Sequence, residues 1–196
     1  MHLAVPSVLS LRQRLRAATA DAHARLDGQL GQLDLESRSG YRRFLEASAA
    51  ALLPMESALC DAGVAQLFPD WPARSRGHAI LDDLADLDGE VDPLPMPGRL
   101  DRAGVLGSMY VLEGSRLGAA YLLKAVERSA DPVVAGATAY LSHGAGQHLW
   151  PSFLEMLETH AATLDDDAAA LTAAREAFAL FNRAAARLGA AGSVVA

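Results

Sequence analysis

Residues 110–120 have the sequence Tyr110-Val111-Leu112-Glu113-Gly114-Ser115-Arg116-Leu117-Gly118-Ala119-Ala120, in the middle of a predicted helix. Glycine in a helix interior costs about 1 kcal/mol relative to alanine, so Gly114 and Gly118 need a physical reason. Residues four apart share one helix face, and a face without side chains lets a flat ligand approach the backbone. Close packing against another helix explains the two glycines equally well. The spacing therefore predicts either a ligand surface or a helix contact.

The composition favours a single all-α domain spanning residues 1–196. Of these residues 51% are hydrophobic but only 6% are aromatic, which is typical of helices packed by aliphatic side chains. The net charge of −7 argues against nucleic acid as a partner, because phosphate binding needs a basic surface. Cys60 is the single cysteine and excludes an intrachain disulfide, and its apolar neighbours predict a small buried core residue. No apolar run is long enough for a membrane helix and the first residues lack a basic signal region, so we expect a cytoplasmic protein.

Capping residues and helix breakers predict a compact bundle of seven to nine helices without strands. Ser10 and Gln13 form a capping box that begins a helix over residues 11–27, with Gly28 as its stop. Pro54 is expected to kink or break a helix that starts near Ser39. The other predicted features are a helix over residues 74–87, a long helix capped by Asp101 that ends near Ser129, a last helix from the run Asp165 to Asp167 to about Leu188, and frayed ends at residues 1–9 and 190–196.

The first predicted helix has a histidine in a setting that suits a metal bound to an anionic ligand. Arg16 lies seven residues before His23 and Asp27 lies four after it, so all three share one face. Asp27 is placed to accept the second ring N–H of His23, which raises the basicity of a metal-bound imidazole. The alternative interpretation is an exposed histidine in a row of surface ion pairs.

Together the two segments resemble the haem oxygenase family, and residues 110–118 look most like its bacterial branch, which includes the partners of bacteriophytochromes. The first helix matches the proximal helix of that family through Leu15-Arg16-x-x-Thr19-x-x-x-His23-x-x-Leu26-Asp27. Further similarity covers nearly the whole chain and lies in residues 41–45, 54–59, 150–153 and 177–181.

The resemblance implies a helical bundle with haem held between a proximal helix and a bent distal helix. It implies His23 as the ligand of the haem iron. It implies Gly114, Ser115 and Gly118 as catalytic residues of the distal helix. It places Arg16, Thr19, Asp27, Tyr110, Lys124 and Phe178 at the cofactor, with Arg16 and Lys124 matching cations for the haem propionates and Tyr110 and Phe178 lining the pocket.

The family reaction converts haem, O2 and external electrons to biliverdin, carbon monoxide and ferrous iron, so haem is both cofactor and substrate. The resemblance implies a ferredoxin, flavodoxin or reductase as electron donor, and a bilin-binding phytochrome as a product acceptor. Nucleic acid and membrane are not expected partners. A haem carrier or sensor without turnover is the alternative function, and a helical protein that binds another small molecule is the third.

One departure from the family concerns the distal helix. Many members follow the first distal glycine with an aspartate that orders water, whereas Ser115 follows Gly114 here. The sequence leaves open whether Glu113, Ser115 or Arg116 takes that role. Four further histidines lack the spacing of a metal site and are expected to be structural or exposed. They are His78, His143, His148 and His160.

Overall fold

A computed structural model describes the backbone of residues 9–191 and the side chains of residues 9–188. Within this range every regular element is helical, as the all-α prediction requires. The elements are α1 Leu11–Leu30, α2 Arg38–Asp61, a 3₁₀ turn Val64–Gln66, α3 Trp71–Arg74, α4 Gly77–Asp86, α5 Arg102–Val126, α6 Pro132–Gly136, α7 Ala139–Ser142, α8 Leu149–Ala161 and α9 Ala168–Ala191. None of the described helices combines the length and apolarity that a membrane crossing needs.

The two caps predicted from sequence begin α1 and α5. The Ser10 hydroxyl accepts a hydrogen bond from the Gln13 backbone N–H at 3.3 Å, and the Gln13 side chain accepts one from the Ser10 N–H at 2.9 Å. The Asp101 carboxylate accepts a hydrogen bond from the Gly104 N–H at 2.6 Å. Both caps satisfy amide groups that a helix start otherwise leaves without partners.

Several predicted boundaries are wrong. Helix α1 continues through Gly28 to Leu30, because Leu26 and Leu30 pack against the core and this burial outweighs the cost of one glycine. The predicted helix over residues 74–87 is divided between α3 and α4 at Ser75 and Arg76. Helix α5 ends at Val126, three residues before the predicted end near Ser129. In the turn that follows, backbone hydrogen bonds join residues that are three apart instead of four.

The two chain ends that were predicted to fray are described only in part. Residues 190 and 191 belong to α9 and residue 9 precedes α1 without regular structure, and the fraying of these residues stays a prediction. The predictions for residues 1–8 and 192–196 lie outside the described residues.

Helix α2 continues through Pro54 to Asp61, so the proline does not break the helix. Proline has no N–H for the carbonyl four residues earlier, which here belongs to Ala50. The Ala50 oxygen instead accepts a hydrogen bond from the Leu94 N–H at 2.9 Å. The proline thus frees a carbonyl that anchors the loop over residues 88–100 to α2.

Cys60 is exposed, so the prediction of a buried core cysteine is wrong. Its neighbour Leu59 occupies the buried position of this helical turn, and successive residues point about 100° apart around a helix. The Cys60 sulfur accepts a hydrogen bond from the Trp71 indole N–H at 3.3 Å.

Helix α9 lies at the centre of the bundle and packs against α1, α2 and α5. Helices α1 and α5 also both contact α8, but they make few direct contacts with each other. Since both rest on the same central helix and make few direct contacts with each other, we infer that a cleft lies between them. The residues predicted to form a site lie on its two walls.

Candidate functional site

One wall of the cleft is an exposed face of α5. Tyr110, Gly114, Leu117, Gly118 and Tyr121 are spaced by four, three, one and three residues, which places them on one side of the helix. Leu117 is 61% exposed and Tyr121 is 79% exposed, the two highest values among the described large hydrophobic residues. Exposed apolar side chains grouped on one helix face are typical of an interaction surface or a ligand-binding groove.

The two glycines on this face are not required by packing within the described chain. A Cβ atom added at Gly118 meets no other atom within 4 Å, and one at Gly114 meets only the edge of the Trp150 ring at 3.8 Å. Gly107 on the same helix is different, because a Cβ there would lie 2.1 Å from the Ala170 carbonyl oxygen of α9. Gly107 is therefore the glycine of the helix contact, and Gly114 and Gly118 leave open backbone surface.

His23 lies on the opposite wall, with one ring nitrogen next to a carboxylate and the other without a partner among the described residues. Its Nδ1 lies 2.9 Å from the Asp27 carboxylate, and the two side chains are 59% and 67% exposed. The contact follows the predicted i,i+4 spacing and favours the tautomer with the proton on Nδ1. The ring packs edge-on against the buried Phe178 of α9, with centroids 5.6 Å apart. The Nε2 lone pair is the one free to bind a metal.

Two arginines of α1 lie near Tyr110 of α5. Burial raises the pKa of the Tyr110 phenol, and the charges of Arg12 and Arg16 partly offset this effect. The Tyr110 ring lies 6.0 Å from that of Trp150, and the Arg12 guanidinium carbon lies 5.9 Å from the Trp150 centroid. This end of the cleft therefore combines two cations with an aromatic wall.

Lys124 lies towards the other end of the cleft. Arg128 and Ser129 follow α5 directly, and both bond to Glu36, which lies just beyond the end of α1. Since Tyr110 is near the start of α1, the two helices run in the same direction. The exposed Lys124 is thus closer to the end of α1, away from Arg16.

Thr19 is buried at 3% exposure, and its hydroxyl donates to the Leu15 carbonyl at 2.8 Å. The hydroxyl proton is therefore committed to the helix backbone, and the predicted place of Thr19 at a cofactor stays a prediction.

The structure distinguishes the three polar candidates on the distal helix. Glu113 is 1% exposed and pairs with Arg74 at 2.7 Å and with Arg116 at 3.0 Å. These groups are therefore committed to an interior network. Ser115 is exposed, and its hydroxyl donates to the Leu112 carbonyl at 2.7 Å and accepts from Arg76 at 2.8 Å. Ser115 has a fixed hydroxyl with one lone pair left for solvent.

The remaining histidines behave as structural or exposed residues, and the described residues contain no cluster of metal-ligating side chains. His143 Nδ1 lies 3.2 Å from the Arg116 guanidinium, and burial together with the nearby cations lowers the pKa of His143 from 6.5 to about 4. Its ring is therefore neutral, and Nδ1 accepts from the guanidinium. His160 bonds the Leu67 carbonyl and Arg102, whereas His148 is exposed.

Sequence reasoning missed three parts of the site. Arg12 lies one turn before Arg16 on the same face, so the spacing that selected Arg16 was also a signal for Arg12. The apolar face formed by Leu117 and Tyr121 had a similar signal in its spacing from Gly114. Arg76 had none, because its partner Ser115 lies 39 residues away in the sequence.

These features define an all-α protein with a ligand cleft between a histidine-bearing helix and a glycine-faced helix. The family model described as "Heme oxygenase" matches residues 64–187. The chain is 30% identical over 174 residues to the protein named heme oxygenase PigA of Pseudomonas aeruginosa, covering 86% of this chain and 88% of that one. The chain belongs to the bacterial haem oxygenase family.

Solved structures agree with this fold. The NO- and CO-bound heme oxygenase of Neisseria meningitidis superposes with a TM-score of 0.72 at 26% identity and 92% coverage of both chains. The heme oxygenase of Leptospira interrogans gives a TM-score of 0.65 at 17% identity, covering 91% of this chain and all of that one, and supports the fold alone.

Proposed function

We propose that this protein is a haem oxygenase that binds haem between α1 and α5 and cleaves it to biliverdin, carbon monoxide and ferrous iron. The observation that supports this most directly is the open backbone surface at Gly114 and Gly118, which faces a cleft whose other wall presents an unpaired histidine nitrogen. A flat ligand with a central metal fits both requirements at once.

The residues present fit haem in chemistry as well as shape. His23 Nε2 ligates the iron, and the Asp27 carboxylate keeps the proton on Nδ1 so that the Nε2 lone pair faces the metal. Phe178 fixes the plane of the imidazole ring by its edge-on contact. Leu117 and Tyr121 give the macrocycle apolar surface that is otherwise exposed to water.

Bound haem supplies the iron that activates O2 and is itself the molecule oxidised. Gly114 and Gly118 keep bulky side chains away from the distal side and leave room for O2 against the backbone. The Ser115 hydroxyl is oriented by Arg76 and by the Leu112 carbonyl, so it can hold a water molecule in a fixed position for proton delivery.

The ionised propionates need cations, for which Arg16 and Lys124 are the residues implied by the family. Electrons come from a ferredoxin, a flavodoxin or a reductase in the cytoplasm, and a bilin-binding phytochrome of the bacterial type is the acceptor of the product. Each of these assignments is part of the proposal.

The first test is titration of the protein with hemin. We expect a sharp Soret band with one equivalent bound, a weakened or shifted band in His23→Ala, and its recovery when imidazole is added to that variant. His148→Ala is the matched control, because it removes an exposed histidine that belongs to neither α1 nor α5. Absence of saturable hemin binding to the wild-type protein would overturn the proposal.

The second test adds a reductant and air to the hemin complex, with catalase present to remove free peroxide. Loss of the Soret band together with biliverdin identified by chromatography is the expected result. A Soret band that persists through many reducing equivalents would instead identify a haem carrier or sensor, and would contradict the proposed activity while leaving haem binding intact.

A further inference from the structure

Asn182 of α9 connects the helix that contains His23 with the residue that packs against the imidazole ring. The Asn182 side-chain amide donates to the Ala22 carbonyl at 3.0 Å and to the Phe178 carbonyl at 2.8 Å. Ala22 directly precedes His23 in α1, and the Phe178 ring packs edge-on against the His23 ring with centroids 5.6 Å apart. One amide group therefore bonds to the backbone on both sides of the proposed iron ligand.

The partners of Asn182 determine which way its amide group faces. Carbonyl oxygens only accept hydrogen bonds, so the NH2 group must point towards them. Within a helix each of these carbonyls also accepts from the N–H four residues later, which leaves one lone pair for the amide. The Asn182 Oδ1 atom is buried and has no partner among the described residues. An unpaired buried oxygen costs stability, so the contribution of this side chain comes from its two N–H donors.

The contact between His23 and Asp27 does not fix His23 relative to the cleft. Asp27 belongs to the same helix, and its side chain is 67% exposed. It sets the rotation of the imidazole on α1 but moves together with α1. Because α1 makes few direct contacts with α5, its main support is α9. The direction in which Nε2 points into the cleft therefore depends on how α1 is held against α9.

Directional bonds are needed to hold α1 in one position at this contact. The turns of α1 next to Asn182 contain Ala18 and Ala22, and single methyl groups form only shallow ridges between packed helices. Hydrogen bonds weaken steeply when their angle changes, so they oppose both sliding and rotation. Arg175 donates from Nε to the Ala18 carbonyl at 3.3 Å. Asn182 is the less exposed of the two donors and is the one beside His23.

We propose that Asn182 is a positioning residue for His23, because its bond to the Ala22 carbonyl sets the direction from which the imidazole nitrogen meets the iron of bound haem. This inference rests on the proposed function and goes beyond it, since it assigns a role to a side chain that acts only through the backbone of α1. Loss of the two N–H donors allows the turn around His23 to shift against α9 and changes the bond between Nε2 and the iron.

The test measures the iron–histidine stretching band of the ferrous hemin complex by resonance Raman spectroscopy, and the rate at which a haem-scavenging globin removes hemin. Asn182→Leu removes both donors at nearly equal volume. We expect a shifted or broadened band and about two- to tenfold faster hemin loss, the range that one hydrogen bond accounts for. Stability without hemin should change little, because the unpaired oxygen is removed as well. An unchanged band and rate would overturn the inference.

Two further variants of the same residue keep the test decisive. Asn182→Gln retains the NH2 group on a longer side chain and should recover part of the wild-type band. Asn182→Asp keeps the shape of the side chain but has no N–H donor, so it should shift the band as Asn182→Leu does, and it provides the measurement if the leucine variant does not fold. A wild-type band in Asn182→Asp would contradict the role of the donors.

Tyr41→Phe is the matched control for a general loss of stability. It removes a buried hydrogen bond from the Tyr41 hydroxyl of α2 to the Ala137 carbonyl at 2.8 Å, and neither residue belongs to α1, α5 or α9. This variant should be less stable but should keep the wild-type iron–histidine band. A shift as large as that of Asn182→Leu would show that the band reports destabilisation in general and would contradict a specific role of Asn182.

Added imidazole separates an effect through α1 from a direct effect on the cleft. In His23→Ala supplied with imidazole, the iron ligand is no longer attached to α1. Adding Asn182→Leu to this variant should therefore leave the iron–imidazole band unchanged. A further shift would show that Asn182 does not act through α1, and the inference would be wrong.

Amide hydrogen exchange without hemin distinguishes the failure of this inference from the failure of the proposed function. Asn182→Leu should accelerate exchange in residues 22–26, because the turn around His23 is held less firmly. If exchange accelerates but the wild-type protein binds no hemin, the proposed function fails and the role of Asn182 towards the iron fails with it. If the wild-type protein binds hemin but neither exchange nor the Raman band changes in the variant, the haem site stands and Asn182 does not position its ligand.

Discussion

Arg74 is the most completely buried charge in the described part of the chain, with no exposed side-chain area. It donates to Asp70, Glu113, Ser152 and the Leu149 carbonyl, so four hydrogen bonds replace the water that it lost on folding. A buried charge is tolerated when it is paired and is costly when one partner is removed. The network therefore holds α3, α5 and α8 together behind the distal wall of the cleft.

Glu113→Ala should destabilise the protein by about 3–5 kcal/mol, because it leaves Arg74 without its buried carboxylate partner. Urea unfolding monitored by circular dichroism measures this change. The matched control is Glu36→Ala, which breaks an exposed pair with Arg128 and should cost less than about 1 kcal/mol. Equal losses in both variants would contradict the importance of the buried network.

His143 predicts a specific loss of stability in mild acid. Its pKa is lowered to about 4 in the folded protein, so between pH 6.5 and pH 4 the unfolded chain binds a proton that the folded chain does not. Folding stability should therefore rise with pH across this window. In His143→Gln, which keeps an acceptor for Arg116 but cannot titrate, urea midpoints measured between pH 7 and pH 5 should fall less steeply. Parallel curves for the two proteins would be inconsistent with a neutral His143.

Contacts between side chains could be predicted from the sequence where both residues lie on the same helix. The contact between His23 and Asp27 follows from a four-residue spacing, which fixes proximity without knowledge of the fold. The contact between Arg76 and Ser115 depends on how two helices meet. Cys60 shows the same limit, since apolar neighbours did not reveal which side of α2 faces the core.

At the scale of helices, glycine has two uses in α5. Gly107 lets α5 approach the backbone of α9, whereas Gly114 and Gly118 keep backbone open to the cleft. From sequence alone these uses look the same, because each is a glycine within a predicted helix. Capping residues were more informative, because the side chains of Ser10 and Asp101 accept hydrogen bonds from backbone N–H groups three residues later in the same helix.

Gly107→Ala and Gly118→Ala form a matched pair that tests this difference. The first should destabilise the protein by about 3 kcal/mol, because its Cβ collides with the Ala170 carbonyl. The second should leave stability unchanged or raise it by up to about 1 kcal/mol through helix propensity. Thermal unfolding without ligand measures both effects.

Hemin affinity tests the open glycine face of α5 separately from stability. Gly118→Ala places a methyl group on the surface proposed for the macrocycle, so its hemin affinity should fall although its fold is intact. Hemin titration of this variant at wild-type stability measures the change. Wild-type affinity in Gly118→Ala would argue against the open glycine face as the binding surface.

At the scale of the whole molecule, the cleft exists because α9 separates α1 from α5. The all-α class and the approximate number of helices could be predicted from composition and breakers. The cleft itself could not, since it depends on which helix lies between the two walls. Resemblance to a family supplied that arrangement, and hydrophobic periodicity did not.

Hemin should stabilise the whole protein by bridging the two walls. At a free ligand concentration one hundred times the dissociation constant, the gain is about 2.7 kcal/mol, or roughly 5–10 °C in Tm for a chain of this size. Differential scanning calorimetry with and without hemin measures it. His23→Ala should show a smaller increase, and an unchanged Tm for wild-type protein would contradict binding to the folded state.

The central position of α9 also has a consequence for biosynthesis. Both walls of the cleft rest on residues 168–191, the last of the described helices to leave the ribosome. A nascent chain that ends before residue 168 already contains α1, α5 and α8 but lacks the central helix against which both walls pack. If haem binds between these walls as proposed, we expect it to load only after α9 has been synthesised.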